Sequence, residues 1–383
     1  MSYTGIDIPD HLGERGDPGY SSDVSTALLD IYPLLARHAY SQAYPLLLNL
    51  RSQRMSLRQR IRVLYALGSV ELGLGYITDA IGALDEVMFL SLGIDDLGAL
   101  AEASFLQYAA YHQLQQFTRA AQCCERALTA WKSYLGNQQP DAHDLTFQID
   151  ILDALALEYF YAGHLPHSAH SIQSARNLLP LIPPSPTSPM RAAALEWTSA
   201  LIERWQHRPD AAFQHALRAF DVYATVNPPA DLARLRIVLA DIILDMVSSD
   251  GVGRAFDTRD RIFTMAEPHL AHALAQTSTA NDPSAHGMAL LAYARYNRLA
   301  RHEQRMFHVI DSVSHTAEEL ADFPLLGQAY TGLADELAVT GERESSLKWH
   351  HMAVDVLATS EAPVLSMWSR RALIKAGEFH TDR

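Results

Sequence analysis

The chain has 383 residues, of which 48% are hydrophobic and 19% are charged, a composition that supports a large buried core and excludes disorder of the whole chain. Its 30 lysines and arginines stand against 44 acidic residues, giving a formal net charge of −14. This balance argues against nucleic-acid binding, which needs clustered cations. The two cysteines, Cys123 and Cys124, are adjacent, so a disulfide framework is excluded.

The start of the chain and its hydropathy bear on location. Asp7, Asp10 and Glu14 interrupt the first residues, so no signal peptide is expected. No uninterrupted apolar run approaches the roughly 18 residues that would indicate a membrane span. We therefore expect a cytoplasmic protein with neither a membrane nor a nucleic acid as partner.

Apolar residues recur at helical spacing from Ser21 to Gly377 and strand-like alternation is absent, so the predicted fold class is all-α. Short breaks, such as those at Gly75, Gln115 and Gly341, divide the chain into helices of roughly 15 residues. In chain order, the predicted helix pairs occupy residues 22–52, 56–91, 95–134, 140–179, 189–225, 229–276, 283–321 and 323–358. One more helix is predicted near 362–377.

The pairs share a recurring pattern of residues. A small residue lies just inside the second helix of a pair, at Ala43, Ala80, Ala120, Ser168, Ala212 and Ser346. Seven positions later come Leu50, Val87, Ala127, Ala175, Ala219 and Ala353, and twelve positions earlier come Ile31, Gly68, Tyr108, Ala156, Ala200 and Ala334. Small side chains at such points allow neighbouring helices to approach closely. One pair cannot bury its apolar face alone, so we expect the pairs to stack.

Three of these repeats carry a recognisable motif. Its residues are Leu64, Leu67, Gly68, Gly75, Tyr76, Ala80 and Leu84; Leu152, Leu155, Ala156, Tyr159, Gly163, Ile172 and Ala175; and Tyr330, Leu333, Ala334, Leu337, Gly341, Ser346 and Ala353. The pattern resembles the tetratricopeptide repeat (TPR) family, here with degenerate repeats spaced by about 37–48 residues. This resemblance implies a right-handed superhelix of about eight stacked antiparallel helix pairs with a C-terminal capping helix. It transfers no active site.

Changes in composition predict the domain boundaries. Residues 1–20 are predicted to be a flexible arm, 21–179 the N-terminal repeats, 190–361 the C-terminal repeats, and 362–383 a capping helix and tail. Between the two sets of repeats, residues 180–189 hold five prolines and are predicted to be a non-helical linker.

The resemblance to tetratricopeptide repeats also implies that a ligand lies along the first helices of the pairs. In the register above, the predicted groove residues are Tyr65, Phe105, His112, Asp150, Asp153, Phe160, Trp197 and Arg204. Aromatic side chains with a few acids favour an apolar ligand that carries basic residues. The alternative is that some of these aromatic side chains belong to the core.

A run of arginines stands out in this acidic chain, at Arg51, Arg54, Arg58, Arg60 and Arg62. Such a run can hold a carboxylate or a phosphate through bidentate contacts, which makes it a candidate anion patch. The alternative is that Arg51 and Arg54 complement the dipole at a helix C-terminus while the others face water.

Two pairs of residues are candidates for chemistry. Asp241 and Asp245 lie one helical turn apart on an otherwise apolar face, where they can form a structural pair, contact a ligand or act as acid and base. Glu203 and His207 form a similar pair at a helix end. No catalytic motif, metal site or cofactor site is predicted.

These features lead to three hypotheses. The first is a non-enzymatic cytoplasmic scaffold that binds a peptide or protein segment in the groove of the repeats. The second is a peptide- or ligand-responsive regulator that acts through a protein partner. The third is an enzyme on a helical-repeat scaffold. Homo-oligomer formation is open in each case.

Overall fold

The computed structural model describes residues 22–185, 187–226, 229–248, 256–279, 282–300, 306–359, 365, 369–370 and 372–374. Across these ranges the regular structure is helical, without strands, which confirms the all-α prediction. The α-helices are α1 Ser22–Ala36, α2 Tyr40–Arg51, α3 Leu57–Leu74, α4 Ile77–Gly93, α5 Leu97–Gln113, α6 Phe117–Leu135, α7 Ala142–Tyr161, α8 Leu165–Leu178, α9 Ser188–Trp205, α10 Pro209–Val226, α11 Pro229–Ser248, α12 Phe256–Thr279, α13 Pro283–Leu299, α14 Phe307–Leu320, α15 Phe323–Thr340 and α16 Arg343–Thr359.

Local sequence explains where several of these helices begin and end. Ser56 and Gln59 form a capping box at the start of α3, each side chain bonding to the other residue's backbone N–H. At the predicted breaks, Gly75 and Gly341 adopt left-handed conformations with φ of 82° and 85°. Gln115 and His207 adopt the same conformation, each at φ 58°, so non-glycine residues end helices at two of the breaks.

The predicted repeat pattern matches the packing. Ala43, Ala80, Ala120, Ala212 and the other small residues of the pattern are buried, as are the positions seven residues later and twelve residues earlier. Each even-numbered helix from α2 to α4, and from α10 to α14, packs against the odd-numbered helices before and after it. The pairs therefore stack in antiparallel fashion, because each pair supplies one apolar face to the next.

The chain divides into two compact units, the first ending at Glu158 and the second beginning at Tyr159. In the first unit, α1 contacts α3 and α3 contacts α5. Its core includes Ile61, Leu64, Leu84 and Trp131.

In the second unit the odd-numbered helices form a similar row, in which α11 contacts α13 and α13 contacts α15. The core around α11 and α12 includes Leu239, Ile242, Ala266 and Leu270. Odd-numbered helices therefore lie side by side within each unit.

The proline-rich segment is more helical at its ends than the sequence predicts. Pro180 lies in a one-turn 3-10 helix, Leu179–Leu181, and Pro189 lies in the first turn of α9. The prediction of a non-helical segment was wrong at its two ends, residues 180–181 and 188–189. Proline is tolerated there because the first turn of a helix leaves its amide hydrogens unpaired.

The predicted domain boundaries stay predictions. The N-terminal arm, 1–20, lies outside the described residues, as does most of 362–383. Of the latter, Leu365, 369–370 and 372–374 are helical, and the hydroxyl of Ser369 lies 3.2 Å from that of Thr331 on α15. In the described ranges, no helix combines the length and the apolar character that crossing a membrane requires.

Candidate functional site

A row of ion pairs crosses the odd-numbered helices of the second unit. We call it the charged ladder, and it consists of Arg204 on α9, Asp241 and Asp245 on α11, Arg295 and Arg298 on α13, and Asp335 and Glu336 on α15. It contains Arg204, a predicted groove residue, and the acid pair of α11.

At the centre of the ladder, Asp241 and Asp245 lie between two arginines. Arg204 donates from Nε to Asp245 Oδ2 over 2.7 Å, and its Nη2 lies 3.4 Å from Asp241 Oδ2. From the other side, Arg295 donates from Nη2 to Asp245 Oδ1 over 2.5 Å and from Nη1 to Asp241 Oδ1 over 3.2 Å. Both acids thus bridge α9 and α13, the helices on either side of α11.

The arginines determine the protonation state of Asp245. Burial by itself would raise the pKa of this carboxyl group, but the charges of Arg204 and Arg295 outweigh burial and hold the pKa below its ordinary value. Asp245 is therefore ionised at neutral pH and has no proton to donate. The geometry fits an ionic contact and does not fit a general acid.

The ladder continues to α15. Arg298 donates from Nη2 to Asp335 Oδ2 over 2.7 Å, and its Nη1 lies 3.6 Å from Glu336 Oε1. His350 of α16 approaches Asp335 with its Nε2 at 3.9 Å, and burial lowers the pKa of this histidine.

The ladder is partly open to solvent. The side chain of Asp335 is 37% exposed, that of Asp245 28% and that of Arg295 24%. Guanidinium and carboxylate groups form strong hydrogen bonds with groups of opposite charge. A charged side chain or chain end is therefore a chemically suitable partner for the exposed part of the ladder.

The predicted groove residues of the first unit form a second group. Phe105 on α5 is half-buried, stacks on Tyr108 at 5.0 Å between ring centroids and meets Phe147 edge-on at 5.4 Å. Asp150 and Asp153 are half-buried on α7. Phe105, Asp150 and Asp153 are thus each partly accessible, and their role in a ligand groove stays a prediction.

His112 serves as the partner of a buried acid. Its Nδ1 lies 2.7 Å from Oε1 of Glu158, whose side chain is fully buried. Burial raises the pKa of Glu158, and the hydrogen bond and charge of His112 act in the opposite direction. The imidazole is 30% exposed, so it links the buried carboxyl group of Glu158 to the surface.

Two predicted groove residues lie in the core. Tyr65 is 7% exposed and Phe160 3% exposed. Tyr65 packs among Ile61, Leu64 and Leu100, because α3 has a neighbouring odd-numbered helix on each side. Trp197 on α9 is half-buried and therefore partly accessible. The burial of Tyr65 and Phe160 keeps both side chains from contacting a ligand in a groove.

The arginine run is not a single patch. Arg60 donates to Glu86 Oε1 from Nε at 2.8 Å and from Nη2 at 2.5 Å, and Arg51 Nη2 lies 3.7 Å from the other oxygen of this carboxylate. Arg54 and Arg58 are exposed and Arg62 is half-buried. The acid of α4 therefore neutralises part of the run, a pairing across 26 residues of sequence.

The remaining candidate acid has a simple partner. Glu203 Oε2 lies 3.4 Å from Arg208 Nη1 at the end of α9. Within the part of the chain that the structure describes, no three His, Cys, Asp or Glu side chains are grouped to hold a metal ion.

Sequence reasoning missed the α13 and α15 members of the ladder. A signal for them exists, since Asp241, Arg295 and Asp335 each directly follow a buried alanine, at Ala240, Ala294 and Ala334. Extending the repeat register through α11 and α13 would have placed these three residues at equivalent positions of their helices.

Comparison with known proteins gives structural matches. No protein-family model matches the chain, and no curated protein matches it. The apo form of the quorum sensor NprR from B. thuringiensis is 12% identical, with 87% of each chain covered and a TM-score of 0.62. Aspartyl phosphate phosphatase F from Bacillus subtilis is 12% identical, with 91% of this chain and 98% of that chain covered and a TM-score of 0.59.

A third solved structure is similar over almost the whole chain. It is a Rap protein complexed with competence and sporulation factor, 12% identical, with 94% of this chain and 98% of that chain covered and a TM-score of 0.57. At these identities the likeness concerns the fold. The protein therefore has a TPR-like helical-repeat fold.

Proposed function

We propose that the protein is a non-enzymatic scaffold that binds a peptide or protein segment along the odd-numbered helices. The observation that carries this proposal is the charged ladder, which gives four consecutive odd-numbered helices partly exposed charged groups. Asp245, the most engaged acid, is held ionised, which fits binding better than acid–base catalysis. Regulation through a protein partner is the alternative form of this function.

The ligand is an apolar segment that carries Lys or Arg. The ladder holds three arginines against four carboxylates, so its acids are in excess by one. Trp197 lies two turns before Arg204 on α9 and offers an aromatic edge to an apolar side chain. The formal charge of −14 adds long-range attraction for a cationic ligand.

Two similar structures support a signalling factor as the ligand class. One is described as a quorum sensor and another is complexed with competence and sporulation factor. Their shared fold makes a segment lying along the repeats the natural occupant here. The cytoplasmic location predicted from the sequence is consistent with this role and stays a prediction.

The test is a screen of short random peptides against the full chain at two salt concentrations, followed by calorimetry with Asp335→Asn. We expect basic, apolar peptides to be enriched and to bind more weakly at higher salt. Asp335→Asn should weaken binding by about fivefold or more, the value of a charged contact. Glu319→Gln, an exposed acid on α14, is the matched control and should leave affinity unchanged.

Two outcomes would contradict the proposal. Enrichment of acidic peptides would reverse the sign of the ligand. Equal loss of affinity in Asp335→Asn and Glu319→Gln would show that general charge, and not the ladder, drives binding.

A further inference from the structure

One half-buried arginine of the second unit lacks the acidic partner that comparable arginines of this unit have. Arg204, Arg234 and Arg295 are half-buried, and each contacts a carboxylate. Arg236 on α11 is also half-buried, but among the described residues it forms neither an ion pair nor a hydrogen bond, and its Nε is enclosed without an acceptor. Unpaired donors on a half-buried cation cost free energy, which a bound anion would offset.

Arg236 is surrounded by side chains from the two helices that pack on α11. Its Cζ lies 5.0 Å from the ring centroid of Phe220 on α10, a cation–π contact. His269 on α12 meets the same ring edge-on, with the ring centroids 5.2 Å apart and the planes at 88°. We call Phe220, Arg236 and His269 the Arg236 cluster. These contacts fix the guanidinium between α10 and α12.

The Arg236 cluster carries one positive charge. Burial lowers the pKa of Arg236, and no acid among the described residues opposes this effect. Burial, followed by the charges of Arg236 and His272, lowers the pKa of His269 to about 4, so this imidazole is neutral at neutral pH. Within the part of the chain that the structure describes, the cluster therefore holds a single cation without a counter-charge.

The end of the Arg236 side chain is accessible to a ligand. Its two Nη atoms have no partner among the described residues and, unlike Nε, they are not enclosed. The Nη donors of one guanidinium match the two oxygens of a carboxylate. A carboxylate brings the one negative charge that the cluster can neutralise, whereas a phosphate dianion would bring a second charge without a partner.

We propose that the Arg236 cluster binds a carboxylate group of a ligand. The two Nη atoms donate to the carboxylate oxygens, and Phe220 and His269 hold the guanidinium in position. The cluster shares no residue with the charged ladder, and its preference for charge is the opposite. The site is therefore additional to the peptide surface proposed above, and its ligand is a small organic acid or the C-terminus of a peptide.

The experiment follows the ring signals of His269 by NMR in the full chain with isotope-labelled histidine, while sodium acetate is added at neutral pH. His269→Gln identifies the signals, sodium chloride at equal ionic strength controls for salt, and sodium phosphate is the dianion. A dipeptide of alanine with a free C-terminus, and its amide, are the peptide probes. Arg236→Gln is the test variant, and Arg261→Gln, at an exposed position of α12, is its matched control.

We expect acetate to move the His269 signals along a saturable curve and chloride to give no saturation. The affinity for acetate should fall about tenfold or more in Arg236→Gln and stay unchanged in Arg261→Gln. Arg236→Lys keeps the charge but not the paired donors, so it should bind several-fold more weakly than the original chain and gives the comparison if Arg236→Gln does not fold. Tighter binding of the dipeptide acid than of acetate would assign the site to peptide ends, and the reverse order to small acids.

Three results would overturn the proposal. The first is that acetate shows no saturation below about 100 mM. The second is that folded Arg236→Gln, or Arg236→Lys in its place, binds acetate as tightly as the original chain. The third is that phosphate binds more tightly than acetate, which would make a dianion the ligand.

Discussion

Substituting Gly327 by alanine tests how closely α15 and α16 pack. A Cβ atom at Gly327 would lie 2.3 Å from Cγ, 2.6 Å from Cδ2 and 2.8 Å from Cδ1 of Leu357. Leu357 is 1% exposed, so its side chain is enclosed by its neighbours. Gly332, on the same helix, is the matched control, because its added Cβ would meet Ile310 at 3.4 Å, an ordinary contact.

The expected magnitudes follow from two opposing effects. Replacing glycine by alanine inside a helix stabilises by about 1 kcal/mol through lower backbone entropy in the unfolded chain. Overpacking a core costs about 1–3 kcal/mol. Gly332→Ala should therefore raise the free energy of unfolding by up to about 1 kcal/mol. The free energy of unfolding of Gly327→Ala should be about 1–3 kcal/mol lower than that of Gly332→Ala. The entropy effect is common to both variants and cancels in this difference.

The free energy of unfolding of both variants is measured by urea denaturation. Unfolding is followed by circular dichroism at 222 nm, where the helical backbone gives the signal. Equal m-values would show that the change lies in stability and not in the denatured state. If Gly327→Ala proved as stable as Gly332→Ala, the close approach of α15 to α16 would be wrong.

Three further predictions address binding, packing and pH. Trp197→Ala should weaken the binding of a basic, apolar peptide by about 2 kcal/mol in calorimetry, as for a buried aromatic anchor; unchanged affinity would remove Trp197 from the site. Ala120→Leu and Ala127→Leu, both at fully buried positions, should each lower the free energy of unfolding by about 1–3 kcal/mol in urea denaturation. Gln116→Leu should change it by less than about 0.5 kcal/mol. Similar effects at all three positions would refute the repeat register. Burial and then the charge of Asp79 raise the pKa of Glu71 from 4.5 to about 7, so its ionisation opposes folding as the pH rises through that interval. Glu71→Gln should therefore stabilise the protein at pH 8 and lose this advantage below about pH 4.5, and a gain that is the same at both pH values would contradict the assignment.

Local sequence accounts for the helices and for the way they pair. Gly75 and Gly341 end helices where the sequence places breaks, and Pro209 begins α10. These features depend on short-range chemistry, namely left-handed glycine, proline at a first turn and apolar residues at helical spacing. The buried alanines of the repeat were predictable for the same reason, since each lies on a periodic apolar face.

The candidate site was only partly predictable. Arg204 was identified from its register, and Asp241 with Asp245 from their spacing, but Arg295 was not. Tyr65 was predicted to line the groove and lies instead in the core. Whether a residue at an inward position is exposed or buried depends on how closely the next helix approaches it. The spacing of residues within one repeat does not predict that distance.

The sequence by itself determined the helical class, the pairing of helices and the residues at which the pairs touch, because each of these depends on side chains within a few turns of one another. Only the tertiary structure decided which charges meet. Arg204 and Asp245 are 41 residues apart, Arg295 and Asp241 are 54 apart, and Arg60 and Glu86 are 26 apart. The distances between these charged groups depend on how each helix pair stacks on the next. Stacking is driven by the burial of apolar surface, which has no preferred direction. It brings together the polar groups at the edges of the buried surface, and the local sequence does not specify which of them become partners.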